Sequence, residues 1–278
     1  MPNQFYQNKI VVITGGSSGI GLALAKALVV HNPQLVLIAR DNDRLLTAKL
    51  LLENMGGRVS IVAADVSLKN SVTTAIDATA RMYGGIDMLI NCAGIITCGR
   101  FIDQPIEDLE KCFQINYMGS LYASKAAWPF LKATKGQLSF VSSVAGYMGL
   151  IGYSSYAPPK FALTGLAECL RMEGKDDGIS ISIIYPPDTD TALLHFEHKH
   201  TLPECRALSK NIKVKTPEQV ALKYLKGLEK KQFEIYCDKE SLLLRWFKNN
   251  FASIFNWMTN RMIEKERKKQ VFHYIPGT

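Results

Sequence analysis

Lys9-Ile10-Val11-Val12-Ile13-Thr14, followed at once by Gly15-Gly16-Ser17-Ser18-Gly19-Ile20-Gly21, decides how the rest of the chain is read. The first six residues are a short continuous apolar run of the kind found in strands covered on both faces. After Gly21, apolar positions recur at helical spacing to about His31. Strand, glycine turn and helix in that order turn a glycine motif into a nucleotide-site expectation. Glycines permit the tight turn and a close backbone approach, and the helix N-terminus offers unpaired N–H groups to a pyrophosphate. The spacing is G-x-x-x-G-x-G, not G-x-G-x-x-G. A purely structural turn is the alternative, and the flanking elements disfavour it.

Outward from this stretch the same alternation repeats. Strands are expected over 34–39, 58–64 (closing at Asp65-Val66), 87–90 (leading into Asn91-Cys92-Ala93-Gly94), 138–143 and 179–185, with helices between them. A long helical stretch from Ile106 to Leu131 carries Asn116, and a further helix runs from Tyr156 to about Glu173. Strands alternating with helices at this spacing imply an α/β fold with a doubly wound parallel sheet. One domain is expected over 1–240. Regularity lapses after Pro187 until Thr216-Pro217-Glu218-Gln219, a helix start with a capping Thr and Gln at the third position. The segment 188–215 is therefore expected to be an irregular substrate lid. Its His195, His198 and His200 have no second ligand cluster in view, so no metal is expected.

Composition narrows the class. Hydrophobic residues make up 47% and charged residues 21%, as in ordinary globular proteins. The net charge of +8 points to an anionic partner, whether nucleic acid, an acidic membrane or a phosphorylated cofactor. The six cysteines form no C-x-x-C pair, which argues for reduced thiols in a cytoplasmic setting and against structural zinc. No signal-peptide pattern precedes the first strand, and no apolar run has the length of a membrane span.

Tyr156-Ala157-Pro158-Pro159-Lys160 supplies the chemistry. Residues four apart share a helix face, and an ammonium beside a phenol favours the phenolate and should lower its pKa toward the working range. Ser143 stands at the C-terminal end of an expected strand, where ligands bind in open α/β sheets.

Taken together, Thr14-Gly15-x-x-x-Gly19-x-Gly21, Asn91-x-Ala93-Gly94, Asn116, Ser143 and Tyr156-x-x-x-Lys160 resemble the short-chain dehydrogenases/reductases, in that family's order and spacing, over about residues 8–240. The resemblance implies a Rossmann-type sheet of about seven parallel strands with helices on both faces and a nicotinamide cofactor. It implies a catalytic set of Asn116, Ser143, Tyr156 and Lys160. Tyr156 would protonate a ketone oxygen, Ser143 would position it, and Lys160 would hold the nicotinamide ribose. Asn116 would hold a proton-relay water. Cofactor contacts would come from Thr14, Gly15, Ser17, Ser18, Gly19, Ile20, Gly21, Asp65, Val66, Asn91, Ala93, Gly94, Tyr156, Lys160, Pro186, Thr189 and Thr191. Strand two ends Ala39-Arg40, with Arg44 one turn further on; cations there favour a 2′-phosphate, hence NADPH/NADP+.

A narrower likeness, in Tyr185-Pro186-Pro187-Asp188-Thr189-Asp190-Thr191 and Ala39-Arg40-Asp41-Asn42-Asp43-Arg44-Leu45, is to the 3-ketodihydrosphingosine reductases. It implies NADPH-dependent reduction of a long-chain ketone, 3-ketosphinganine to sphinganine. Asp188 and Asp190 are then candidates for the substrate amine. Reduction of another lipophilic ketone (a steroid, retinoid or 3-oxoacyl group) stays open, as does a cofactor-binding protein without turnover. Two departures stand out: many eukaryotic members begin with a membrane-spanning segment, and Pro158-Pro159 replace small or polar residues. Pro159 biases residue 158 away from helical torsions and so bears on whether the Tyr156–Lys160 turn closes. By analogy with the family, a homodimer or homotetramer is expected, and no nucleic-acid partner.

In 241–278, Leu243, Leu244, Phe247, Phe251, Ile254, Phe255, Met258 and Met262 recur at helical spacing, followed by a basic end. One amphipathic helix is expected. It suits a peripheral membrane contact through 241–269 or packing on protein, and the pattern leaves both open.

Overall fold

The computed structural model describes residues 4–210 and 212–273. Residues 1–3 of the expected domain, 211 of the expected lid and 274–278 of the expected tail lie outside the described residues. The strands are β1 (Ile10–Thr14), β2 (Gln34–Ala39), β3 (Arg58–Ala63), β4 (Met88–Asn91), β5 (Gln137–Val141), β6 (Ser180–Tyr185) and β7 (Glu234–Tyr236). They form one parallel sheet in the order β3-β2-β1-β4-β5-β6-β7. Around it lie α1 (Gly19–Val29), α2 (Asn42–Asn54), α3 (Lys69–Tyr83), α4 (Ile106–Phe113), α5 (Gly119–Thr134), α6 (Ala157–Asp177) and α9 (Pro217–Glu229).

Strand alternation sends the core to both faces. Val11, Ile13, Leu35 and Leu37 pack with Leu24, Leu28, Leu52 and Tyr224 on one side. Val12, Val36 and Ile38 pack with Ile76, Leu131, Phe140 and Leu163 on the other. Every one of these side chains is essentially inaccessible, and each such burial stabilises by roughly 1.5–3 kcal/mol. Strand order reverses between β1 and β4, which opens the crevice at their C-terminal ends. Thr14 faces Asn91 there, and its Oγ1 accepts from the Cys92 and Ala93 N–H groups at 3.1 and 3.3 Å.

Three expectations about local structure change, and the question raised by the proline pair is answered. The helix through Asn116 is not continuous: a π-helical turn at Gln114–Met118 separates α4 from α5. The lid is not irregular, because it holds α7 (Ala192–His200) and α8 (Pro203–Ser209), with Thr191 capping α7 through its Oγ1. Its base is closed by a parallel bridge of Thr189 to Lys215, with Asp190 N–H donating to Lys215 O and Lys215 N–H to Asp188 O, both 2.8 Å. Pro158 and Pro159 do not break α6, since both fall in its first turn, where a missing N–H has no intrahelical partner to lose. The tail is two helices, α10 (Lys239–Asn250) and α11 (Ala252–His273), broken at Phe251, whose φ of −130° and ψ of 46° leave the helical region. Thr216 and Gln219 form the expected capping box.

Candidate active site

Backbone shapes the β1–β4 end of the crevice. Gly15 has φ +69°, and a Cβ there would stand 2.8 Å from the Ala93 backbone; one at Gly21 would stand 2.4 Å from Gly15 O. Side chains are thus excluded where the turn crosses β4. The first turn of α1 carries no acidic residue, and Ser18 at its N-cap makes no side-chain capping bond, so its N–H groups and dipole face the crevice. Gly19, with φ +51°, lies opposite Thr191, whose Cγ2 would be 3.4 Å from a Cβ there. Ser17 and Ile20 flank this turn, half-buried. The cradle fits the phosphates of a dinucleotide.

The end expected to take the adenosine is more open. Arg40 follows β2 half-exposed, 4.0 Å from an Asp65 carboxylate oxygen. Asp65 also accepts from the Ser67 N–H and hydroxyl at 2.9 and 2.7 Å. Arg44 pairs with Asp41 at 3.4 Å. Val66 is buried against Gly119.

At the centre, β5 and α6 bring Ser143, Tyr156 and Lys160 together with Gly94, Pro186 and Pro187 around one cavity of about 690 Å³. Ser143 caps a short turn after β5, its Oγ accepting from Ala145 N–H at 3.1 Å. Lys160 is buried, its Nζ donates to Val141 O at 2.9 Å, and it lies 5.5 Å from the Tyr156 ring centroid. Burial pushes the Lys160 ammonium down to about 8. The Tyr156 phenol moves opposite to expectation. Burial pushes it up, the Ser143 hydroxyl works against that rise, and Glu197 adds to it. Desolvation dominates, and the Lys160 ammonium is itself buried and turned toward the Val141 carbonyl. Tyr156 therefore keeps its proton at neutral pH, as a proton donor must.

Asn116, fully buried on the π-helical turn, clamps Ile95: its Oδ1 accepts from Ile95 N–H at 2.8 Å and its Nδ2 donates to Ile95 O at 2.9 Å. A Cβ on Gly94 would lie 3.0 Å from Asn116 Oδ1 and 3.6 Å from Lys160 Nζ, so both residues crowd the place a side chain would take. Asn91 donates to Ser124 Oγ at 3.1 Å and fixes β4 to α5. The hydroxyls of Thr189 and Thr191 donate within their own loop, to Pro187 O at 2.7 Å and Thr189 O at 3.1 Å.

Beyond Tyr156 the cavity runs under the lid to α10, along Met148, Leu150, Leu193, Leu208 and Leu244. Asp188 lines it and burial pushes its carboxyl up. Asp190 instead turns outward to His195 at 2.8 Å. His200 bonds Phe196 O, and among the described residues no His, Cys, Asp and Glu cluster is arranged to hold a metal. Two lining residues went unread in the sequence: Glu197 on α7, and Tyr153, whose hydroxyl donates to Glu197 Oε1. Recognising Thr191 as a helix cap would have placed Leu193 and Glu197 on one face of α7, four apart.

The short chain dehydrogenase family model matches residues 9–201. A zebrafish (Danio rerio) 3-dehydrosphinganine reductase is 40% identical over 217 residues, covering 76% of this chain and 65% of its own, so the chain spans just under two thirds of that relative. A mouse (Mus musculus) 3-ketodihydrosphingosine reductase is 38% identical over 240 residues, covering 84% of this chain and 72% of its own. Among solved structures, a short chain dehydrogenase/reductase from Burkholderia phymatum in complex with NAD aligns with TM-score 0.81 at 22% identity over 90% of this chain and 95% of that one, which establishes the shared fold.

Proposed function

We propose, from the premise that this chain belongs to the short-chain dehydrogenase family, that it reduces the ketone of 3-ketosphinganine with NADPH. The observation that carries the reading is Ser143 and Tyr156 together in one cavity of about 690 Å³ that also takes in Met148, Leu150, Leu193, Leu208 and Leu244. The glycine cradle, Lys160 and Gly94 would hold a nicotinamide dinucleotide, which when bound supplies the hydride. Tyr156 protonates the ketone oxygen, and Ser143 hydrogen-bonds that oxygen and keeps the carbonyl carbon facing Gly94 and Pro186. Lys160, through the relay assigned to Asn116, restores the phenol's proton from solvent. Arg40, with Arg44 beside it, is the cation for a 2′-phosphate.

The tail supports a membrane-facing orientation. Leu244 and Phe255 pack on the core, while Trp246, Phe251, Ile254, Trp257 and Met258 stay 42–59% exposed next to basic Arg261, Lys265 and Lys268. Arg261 stacks on the exposed Trp257 ring at 5.3 Å, and exposed aromatic residues followed by a basic run suit an anionic interface. Purified protein with NADPH and 3-ketosphinganine should give sphinganine in step with cofactor oxidation. No product with 3-ketosphinganine, alongside reduction of a steroid or 3-oxoacyl ketone, overturns the substrate assignment.

A further inference from the structure

The lid places a carboxylate in the cavity for which the chemistry so far has no use. Glu197 lines the same wall as Tyr156, and its Oε1 is held by the Tyr153 hydroxyl. Tyr153 packs edge-on against Tyr156 with ring centroids 6.0 Å apart, so the carboxylate is fixed relative to the proton donor through two contacting rings. Glu197 is also near enough to oppose ionisation of that phenol. Asp188 lines the same cavity close enough to oppose ionisation of Glu197, and each is half-buried. Among the described residues, neither carboxylate has an ion-pairing nitrogen within 4.0 Å. The other buried acid of this region, Glu204, has two arginines on one oxygen. A carboxylate taken out of water normally acquires a cation or gives up its charge. The same cavity is lined by Leu193, Leu208 and Leu244, and Lys213 and Lys215, which also line it, make no ion pair with either carboxylate, Lys215 pairing with Asp238 at 3.7 Å.

Resting on the reading of this site as a ketone reductase, we propose that Glu197, held by Tyr153 and seconded by Asp188, receives the ammonium group that the substrate carries on the carbon beside its ketone. One cavity then offers a proton donor, an anion held to it through Tyr153, and leucine side chains, which match ketone, ammonium and alkyl chain. This makes Glu197 a specificity residue, with Asp190, turned outward to His195, having no part in it. Binding a cation here also lowers the field at Tyr156 and so links recognition of the amine to the proton donor's acidity.

Glu197→Gln tests this with little risk to the fold, because the amide oxygen can still accept from Tyr153. Two arms are needed. In turnover, kcat/KM is measured for 3-ketosphinganine and for an unsubstituted 3-ketone of equal chain length; the ratio should fall at least tenfold in Glu197→Gln, chiefly through KM. In binding, sphinganine and N-acetylsphinganine are titrated onto the NADP+-loaded protein. Wild type should prefer the free amine, and Glu197→Gln should lose that preference. Equal losses on both ketones, or no preference for the amine in wild type, overturns the role of Glu197. If wild type turns over no 3-ketosphinganine but binds the amine selectively through Glu197, the substrate assignment fails while the ammonium site stands.

Discussion

At the β1–β4 end of the crevice, shape is a property of backbone, whereas under the lid it is a property of side chains. Gly15 and Gly21 approach neighbouring main chain so closely that no Cβ fits, and Thr14 and Asn116 are spent on backbone groups of the β4 loop. Under the lid, by contrast, Glu197, Asp188, Leu193 and Leu244 project from α7, α10 and a loop that a short bridge and one buried ion-pair cluster hold in place. A ligand part common to many enzymes suits the first construction, because backbone geometry changes little when residues do. A ligand part peculiar to one enzyme suits the second, where one substitution can rewrite the wall.

Tyr156 stands where the two regions meet, and its substitution separates them most sharply. Tyr156→Phe removes the phenol proposed as proton donor and leaves the ring that packs on Tyr153. A fall in kcat of about 10²–10⁴ is expected with cofactor affinity preserved. Normal turnover by a folded Tyr156→Phe protein would take the phenol out of the mechanism. A loss of cofactor affinity instead would mean that the two halves are not independent.

A smaller effect is expected at the outer edge of the backbone-built half. Arg40 is half-exposed and its nearest acidic oxygen is 4.0 Å away, so it is not committed to a structural pair. A charge-assisted hydrogen bond contributes about 1.5–3 kcal/mol, so Arg40→Ala should shift preference from NADPH toward NADH by tenfold or more. Titration of both cofactors on the variant measures this, and equal weakening of the two would reassign Arg40 to the fold.

The lid half should respond to pH in a way the backbone of the glycine turn does not. Burial pushes Glu197 up to about 7, the Tyr153 hydrogen bond opposes that rise and Asp188 adds to it. Cys98, Cys205 and Tyr156 also face it, and His198 acts on Asp188. A carboxyl with a raised pKa is ionised above that pKa and neutral below it, so the anion is lost as pH falls. KM for the amino-ketone should rise severalfold between about pH 8 and pH 6, with a much flatter profile for the uncharged ketone. Parallel profiles would place the titration elsewhere.

What the sequence disclosed divides along the same line. Thr14 to Gly21 and Asn91 to Gly94 were legible because tight turns and close approach admit few residues, and alternating strands fix their order. The proline pair, which raised a question about Tyr156 and Lys160, fell harmlessly in the first turn of α6. The phenol's acidity was misjudged because local spacing reports the neighbouring ammonium but not the burial of both groups. Glu197 was missed because α7 reads Ala-Leu-Leu-His-Phe-Glu-His-Lys-His, with no clean apolar period, and gains its inward face only from the elements beneath it.

The least of the expected effects concerns how the tail is held to the lid. Glu204 on α8 is fully buried, and its Oε1 accepts from Arg100 at 2.7 Å and from Arg267 of α11 at 3.3 Å. Arg100 follows β4, so this one oxygen ties the β4 loop, the lid and the tail together. The two arginines are not equivalent. Both arginine side chains are about half-exposed, but Arg100 makes the shorter bond and would keep Glu204 paired alone, whereas the longer contact of Arg267 is the weaker one and is screened by water. Arg267→Ala should therefore cost about 1 kcal/mol or less and leave α8 seated. Because α11 packs along α8, the loss should appear as amide exchange in α11 accelerated up to about fivefold, with α1 and α9 unchanged. Unchanged exchange in α11 would show that Leu244 and Phe255, and not the ion pair, secure the tail. Faster exchange throughout α7 and α8 would show that the tail is part of the lid, and the side-chain-built half of the crevice would then extend to the C-terminal helix.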